Sequence, residues 1–397
     1  MEIANRSGGY ITQSNGYRAF IPNPLPPVPH IEIDDEMQTL LSKADRALGR
    51  LDGSIQTLPD PHLFVIMYVR KEAVLSSQIE GTQSSLNDLL EAEAKIFDTS
   101  RPKDVDEIVN YVSAMNYGLS RLEELPLSTR LIKEIHTRLL QGARGQYLQP
   151  GELRTSQNWI GARNCTLSEA VFVPPPPHSV PECLSDLEKF LHDEAPLPLL
   201  IRIGLAHAQF ETIHPFLDGN GRVGRLLITF LLCQQEILQK PVLYISHYFK
   251  KNREHYYELL QSIRDTGDWE TWLKFFLNGI SDVAKEATET ARKIVDLREK
   301  HRLLITHNFG RVAGNGLTIL EQLYQTPIIT VSDIGRICGV SYQAANNLMN
   351  KFIEDELLVE VTGNIRNRRF RYGSYINLFS NFLYIDSPAM YIYQFNI

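Results

Sequence analysis

The chain has 397 residues, room for two or three domains that each bury their own core. With 43% hydrophobic and 22% charged residues, the composition excludes a disordered or fibrous protein. A formal charge of -7 gives no global pull towards nucleic acid or anionic membrane, so any nucleic-acid site must be a local basic patch.

Cys165, Cys183, Cys233 and Cys338 lack CxxC spacing, which argues against a structural zinc site or a disulfide framework. The opening MEIANRSGGYITQSNG lacks the pattern of a signal peptide. No stretch reaches the roughly 18 consecutive apolar residues that a spanning helix needs. The expectation is a cytoplasmic protein with no membrane contact.

The proline run PNPLPPVP predicts an extended arm over residues 1 to about 30. Helical spacing follows from Ile33 to about Gly53, where the two glycines near Leu51 end it. Further helices are predicted from Pro61 to Ile79, from Ser85, and over 104–122 and 127–140. Between Gly151 and Pro181 a turn signal flanked by β-favouring residues and a proline stop predicts a hairpin. Helices resume over 180–192, 197–213, 221–235 and 252–264, and from Trp269, with a break, to about Glu299. The composition shifts near 300–315. A helix, a helix-turn-helix with Gly339 at its turn and a basic-tipped ribbon then predict a winged-helix module. The aromatic tail 376–397 has no assigned structure. The domains expected are 1–104, 105–299 and 300–375, followed by that tail.

The chemistry concentrates in His214-Pro215-Phe216-Leu217-Asp218-Gly219-Asn220-Gly221-Arg222-Val223-Gly224-Arg225. A helix delivers His214, and Pro215 stops it because its ring cannot follow in the helical ladder. The DGNG run turns tightly, and the helix that starts near Gly221 exposes unpaired N–H groups and a positive dipole end, a ready phosphate site. Arg222 and Arg225, three residues apart, offer two guanidinium forks to a polyphosphate. Asp218 is suited to Mg²⁺ bridging phosphate oxygens, and His214 to general-base work.

The segment HPFLDGNGRVGR resembles the Fic signature, HPFx(D/E)GNGRxxR, at every defined position. The resemblance implies a mainly α protein: a Fic-type helical core with a short β-hairpin flap, plus the winged-helix domain. It implies a protein adenylyltransferase, in which AMP passes from ATP to a Ser, Thr or Tyr hydroxyl of a target protein or of the enzyme itself. In that reading His214 is the base and Asp218 the Mg²⁺ ligand. Gly219, Asn220, Gly221, Arg222, Gly224 and Arg225 bind ATP, and Tyr257 is placed at the adenine. An Asn used by some relatives falls at Arg264, a departure from the pattern. The related Doc branch carries Lys where this chain has Gly221 and transfers phosphate, so Gly221 favours AMP transfer. Other relatives transfer UMP or phosphocholine.

Upstream, Ser76-Ser77-Gln78-Ile79-Glu80-Gly81 resembles the family's inhibitory helix, (S/T)xxxE(G/N). The resemblance implies that Glu80 pairs with Arg225, competing with phosphate for one fork. A plainer reading makes Gly81 the C′ residue of a helix. Residues Ser156 to Pro177 resemble the family flap that pairs with a target's extended backbone. In the C-terminal module Gln343, Asn346, Asn347 and Lys351, with Arg366, Arg368, Arg369 and Arg371 on the wing, are candidates for DNA contact. Winged helices also serve as dimerisation modules, so a homodimer is a further expectation. Two other functions stay open: a DNA-binding transcriptional regulator with a nucleotide-sensing core, and removal of AMP at the same site.

Overall fold

A computed structural model describes the chain except residues 1–4, 15, 57, 59–60, 96–103, 143–146, 163, 194–195, 365, 381–392 and 397. It opens with an antiparallel hairpin, β1 (Gly8–Thr12) and β2 (Arg18–Pro22), before the proline run. The expected arm is therefore a hairpin first. It is tied down by Phe20 N–H donating to Val173 O at 2.9 Å and Gln209 Nε2 donating to Asn23 O at 2.8 Å.

Helices α1 (Asp35–Gln56), α2 (Pro61–Ile79), α3 (Leu86–Glu93), α4 (Val105–Leu122) and α5 (Thr129–Leu140) follow. Helix α1 runs through Gly49 and Gly53, which were expected to end it; its apolar stripe Met37, Leu40, Ala44, Leu48, Leu51 and Ile55 is buried, and that burial outweighs the cost of two glycines. Helix α3, expected from Ser85, begins with a capping box between Ser85 and Asp88.

Strand β3 (Trp159–Ala162) forms one limb of the expected hairpin. Its Ile160 exchanges backbone bonds with Phe172 and Val171 on the return limb. Next come α6 (Val180–His192), α7 (Leu199–Ile213), α8 (Asn220–Gln234), α9 (Ser246–Lys251), α10 (Arg253–Thr266) and α11 (Trp269–Asn308). The expected break in the last of these is absent: α11 is a single 40-residue helix that passes through residue 300. It packs along α1, and Trp272 Nε1 donates to Gly204 O of α7 at 2.9 Å. Helix α8 lies at the centre: Asn220 to Leu232 are all buried. Gly118 of α4 lets it approach α8 closely, because a Cβ there would fall 2.3 Å from the Phe230 ring.

The C-terminal module comprises α12 (Ala313–Gln325), β4 (Ile328–Thr330), α13 (Val331–Cys338), α14 (Tyr342–Glu354), β5 (Val359–Glu360), β6 (Arg369–Arg371) and α15 (Gly373–Ser380). Gly339 turns α13 into α14 with φ +64°, as the sequence requires. The ribbon strands join β4 in a three-stranded sheet of order β4-β6-β5. The tail contributes a last strand, β7 (Tyr393–Asn396), whose backbone pairs antiparallel with β3, Trp159 opposite Asn396. Among the described residues no helix is long and apolar enough to cross a membrane.

Candidate active site

The site is the junction between α7 and α8. Helix α7 ends because His214 takes a left-handed conformation, φ 49° and ψ 61°, with its N–H still bonded to Phe210 O at 3.0 Å. That bend helps carry the chain from one buried helix to the next in six residues. Asn220 closes the loop from within: its Oδ1 accepts from Phe216 N and its Nδ2 donates to Phe216 O, both at 2.8 Å. Gly219 stands at φ +79° before the first turn of α8. The first N–H groups of that helix have no intrahelical partner and face the position an anion would take.

Three residues that the sequence did not single out lock this loop. Arg154 donates from Nε to His214 O at 2.8 Å and from Nη2 to Ile213 O at 3.4 Å. Asn158, at the foot of β3, donates to Phe216 O at 2.9 Å, so the flap is fixed to the loop it would serve. His136 of α5 accepts from Gly151 N–H at Nδ1, which leaves Nε2 to donate to Asp218 O, at 2.8 and 2.9 Å. Its ring stacks on Phe216 with centroids 3.8 Å apart, and burial drops its pKa to about 4. Nothing in local spacing marks these residues, because each acts on a backbone group more than a dozen positions away.

His214 is buried, 1% exposed. Burial, reinforced by the charges of Arg154 and Arg264, depresses its pKa to about 3. The imidazole is therefore neutral at physiological pH and able to accept a proton. Asp218 accepts at Oδ1 from Gly219 N–H at 2.7 Å, and its Oδ2 lies 3.4 Å from Arg222 Nη2. Arg222 is itself buried and donates from Nη1 to Glu107 of α4 at 3.0 Å. It holds two carboxylates rather than standing open.

Arg225, 1% exposed, is engaged by the end of α2. It donates from Nε to Ser76 Oγ at 2.8 Å and from Nη2 to Ser76 O at 3.0 Å and Glu80 Oε1 at 2.6 Å. Helix α2 ends to make this contact. Gly81 takes φ +97°, its N–H bonds to Gln78 O and the N–H of Thr82 to Ser77 O, which is a Schellman ending. The cap geometry and the ion pair coexist, since the same turn projects Glu80 onto Arg225. Lys250 Nζ, bonded to Gln78 Oε1 at 2.7 Å, and Arg253 Nε, bonded to Ile79 O at 3.1 Å, tie this end to α9 and α10. Gly221 gives Glu80 its room: a Cβ there would lie 2.2 Å from Glu80 Oε1. The carboxylate thus packs beside Gly221 and takes up the Arg225 fork.

A cavity of about 630 Å³ opens between β3, its return limb and α10, lined among others by Phe172, Glu211, Tyr257 and Arg264. Tyr257 of α10 is part of that lining. Arg264 fills the place expected for an Asn, with its Cζ 3.8 Å from the centre of the Phe172 ring.

Residues 38–120 match the Fic/DOC family N-terminal domain, and residues 126–232 match the Fic/DOC family domain. The chain carries a Fic N-terminal domain and a Fic domain. Among its relatives, the protein adenylyltransferase of Caenorhabditis elegans is 33% identical over 120 residues, 30% of this chain and 22% of that protein. The protein adenylyltransferase Fic of Drosophila willistoni is 29% identical over 254 residues, 61% of this chain and 47% of that protein. The Fic chain thus spans less than half the length of either relative. In fold it is similar to the crystal structure of a Fic family protein from Desulfovibrio desulfuricans: TM-score 0.57 at 20% identity, covering 86% of this chain and 97% of that one. All twelve residues of the signature fall within the matched Fic region.

Proposed function

We propose that this Fic chain is a self-inhibited protein adenylyltransferase with ATP as substrate. The observation that carries the reading is a neutral, buried His214 at the mouth of an anion-binding helix terminus, beside a cavity large enough for a nucleoside. A target hydroxyl attacks the α-phosphorus. The new bond joins that oxygen to phosphorus, the bridge to the β-phosphate breaks, pyrophosphate leaves, and the hydroxyl proton passes to the His214 imidazole. The N-terminal amides of α8 around Asn220 and Gly221 receive the developing phosphate charge. Arg225, once released by Glu80, holds the γ-phosphate.

Mg²⁺ fits what the site offers. Asp218 is a carboxylate beside the anion site, held by Gly219 N–H and Arg222. One carboxylate plus substrate phosphates and water is the usual holding of this ion, which supplies charge neutralisation on the leaving pyrophosphate. Arg222, anchored on Glu107, orients Asp218 for that duty.

In this reading residues 1–104 carry the inhibitory helix, 105–299 the catalytic core and 300–375 a winged-helix module. The test uses the Glu80→Gly protein with ATP labelled at either the α- or the γ-phosphate. Adenylyl transfer leaves α-label on protein and no γ-label. Retention of γ-label instead identifies a phosphotransferase and overturns the assignment.

A further inference from the structure

Glu211 lines the cavity, and the reaction makes no use of its carboxyl group. It sits three residues before His214 on α7, is 5% exposed, and its Oε1 is buried without a hydrogen-bond partner. A buried carboxyl oxygen in this condition is costly unless something else supplies its hydrogen bond. The neighbouring cations are spent elsewhere. Arg264 gives its guanidinium to the Phe172 ring, to Thr212 Oγ1 at 3.3 Å and to the backbone oxygen of Glu211 at 3.4 Å. Arg225 bonds Ser76 and Glu80. The chain nevertheless makes space for the group: a Cβ on Gly224 would fall 2.3 Å from Glu211 Oε1. A glycine inside a helix costs about 1 kcal/mol against alanine, so the room is bought at a price.

We propose that Glu211 selects the nucleobase, its carboxyl group pairing edge to edge with a base that presents a donor and an acceptor side by side, as adenine does. This rests on the adenylyltransferase reading, which brings a nucleotide into the cavity that Glu211 lines. A carboxylic acid offers one donor and one acceptor, the complement of the amino group of adenine and its adjacent ring nitrogen. An ionised carboxylate offers two acceptors and suits the paired donors of guanine instead. Burial pushes the Glu211 pKa up to about 7, with Glu80 raising it further and Arg225 and Arg264 opposing. Tyr256 and Tyr257 of α10 also face it, and Glu254, Glu258 and Asp265 line the same cavity. The acid form is therefore populated in the range where the enzyme works.

The experiment is calorimetric titration of the full chain with ADP and with GDP, at pH 6 and pH 8, neither needing displacement of Glu80 from the γ-phosphate position. Parent protein binds ADP more tightly at pH 6 and shifts towards GDP at pH 8. Glu211→Gln keeps a donor and an acceptor in the same place, so it retains ADP affinity and loses the pH dependence. Glu211→Ala loses about tenfold or more in ADP affinity, the scale of one two-point base contact. If Glu211→Ala kept the parent's ADP affinity and selectivity, or Glu211→Gln kept its pH dependence, Glu211 would not be the selector. If the parent bound neither nucleotide, the transferase reading itself would fall.

Discussion

Glu80 Oε1 lies 2.6 Å from Arg225 Nη2 and, at the same time, where a Cβ on Gly221 would meet it at 2.2 Å. One carboxylate oxygen therefore occupies the guanidinium fork that a terminal phosphate needs, and Gly221 leaves it the room to do so. The expectation that follows is specific to the terminal phosphate. Glu80→Gly tightens ATP binding by about tenfold, equivalent to about 1.4 kcal/mol, and leaves ADP binding within about twofold. Calorimetric titration of both nucleotides checks it; equal tightening for ADP would contradict the geometry.

Arg222 bridges Glu107 and Asp218 inside the core. Glu107→Gln removes the stronger of its two ionic contacts and leaves a buried guanidinium leaning on Asp218 alone. Transfer by the Glu80→Gly protein is then expected to need more Mg²⁺, because Asp218 is drawn further into ion pairing. A magnesium titration of the labelling rate reads this directly. An unchanged half-saturating concentration would detach Arg222 from the metal ligand.

His136 holds the loop by two bonds and a stacked ring. His136→Ala strips the Asp218 carbonyl of a donor and leaves a cavity against Phe216. The expected loss of stability is about 2–4 kcal/mol, from an unsatisfied buried group plus lost packing. Chemical denaturation measures it. A loss under about 0.5 kcal/mol would mean the loop is held by Asn220 and Asn158 without it.

The pH profile of transfer by the Glu80→Gly protein has an unusual shape. His214 titrates near 3 and His136 near 4, so neither gives an acid-side limb around 6.5. Glu211 is raised to about 7 in the resting chain, a value that removal of Glu80 lowers somewhat. The acid form is lost as pH rises through that value, so the rate at limiting ATP declines on the alkaline side. Glu211→Gln flattens the decline. A half-maximal point near 6.5 on the acid side would show His214 to be solvated in the working enzyme.

The catalytic signature was legible because its chemistry is local: twelve consecutive residues make the bend, the anion turn and the arginines. Glu80 was legible for the same reason on its own side, and the structure joins two short motifs 145 positions apart. The residues that brace the loop were not. Arg154, Asn158 and His136 bond backbone atoms that only the fold brings near. Arg222 was legible, but its buried partner Glu107 was not, because Glu107 comes from another helix. Along the chain, α1 and α11 ran past their expected ends because continuous buried stripes override two glycines and a composition shift. The tail gave no period to read, and its one described strand is defined by the edge of β3 it pairs with.

The central claim is that a base and its built-in inhibitor act on one transfer reaction. The most direct measurement is incubation of wild type, Glu80→Gly and Glu80→Gly/His214→Ala with α-labelled ATP and Mg²⁺, alone and with cell lysate. The account predicts strong protein labelling only by Glu80→Gly, at least about tenfold above wild type, a change that requires about 1.4 kcal/mol. Absence of label with all three proteins, or equal label with all three, would contradict it.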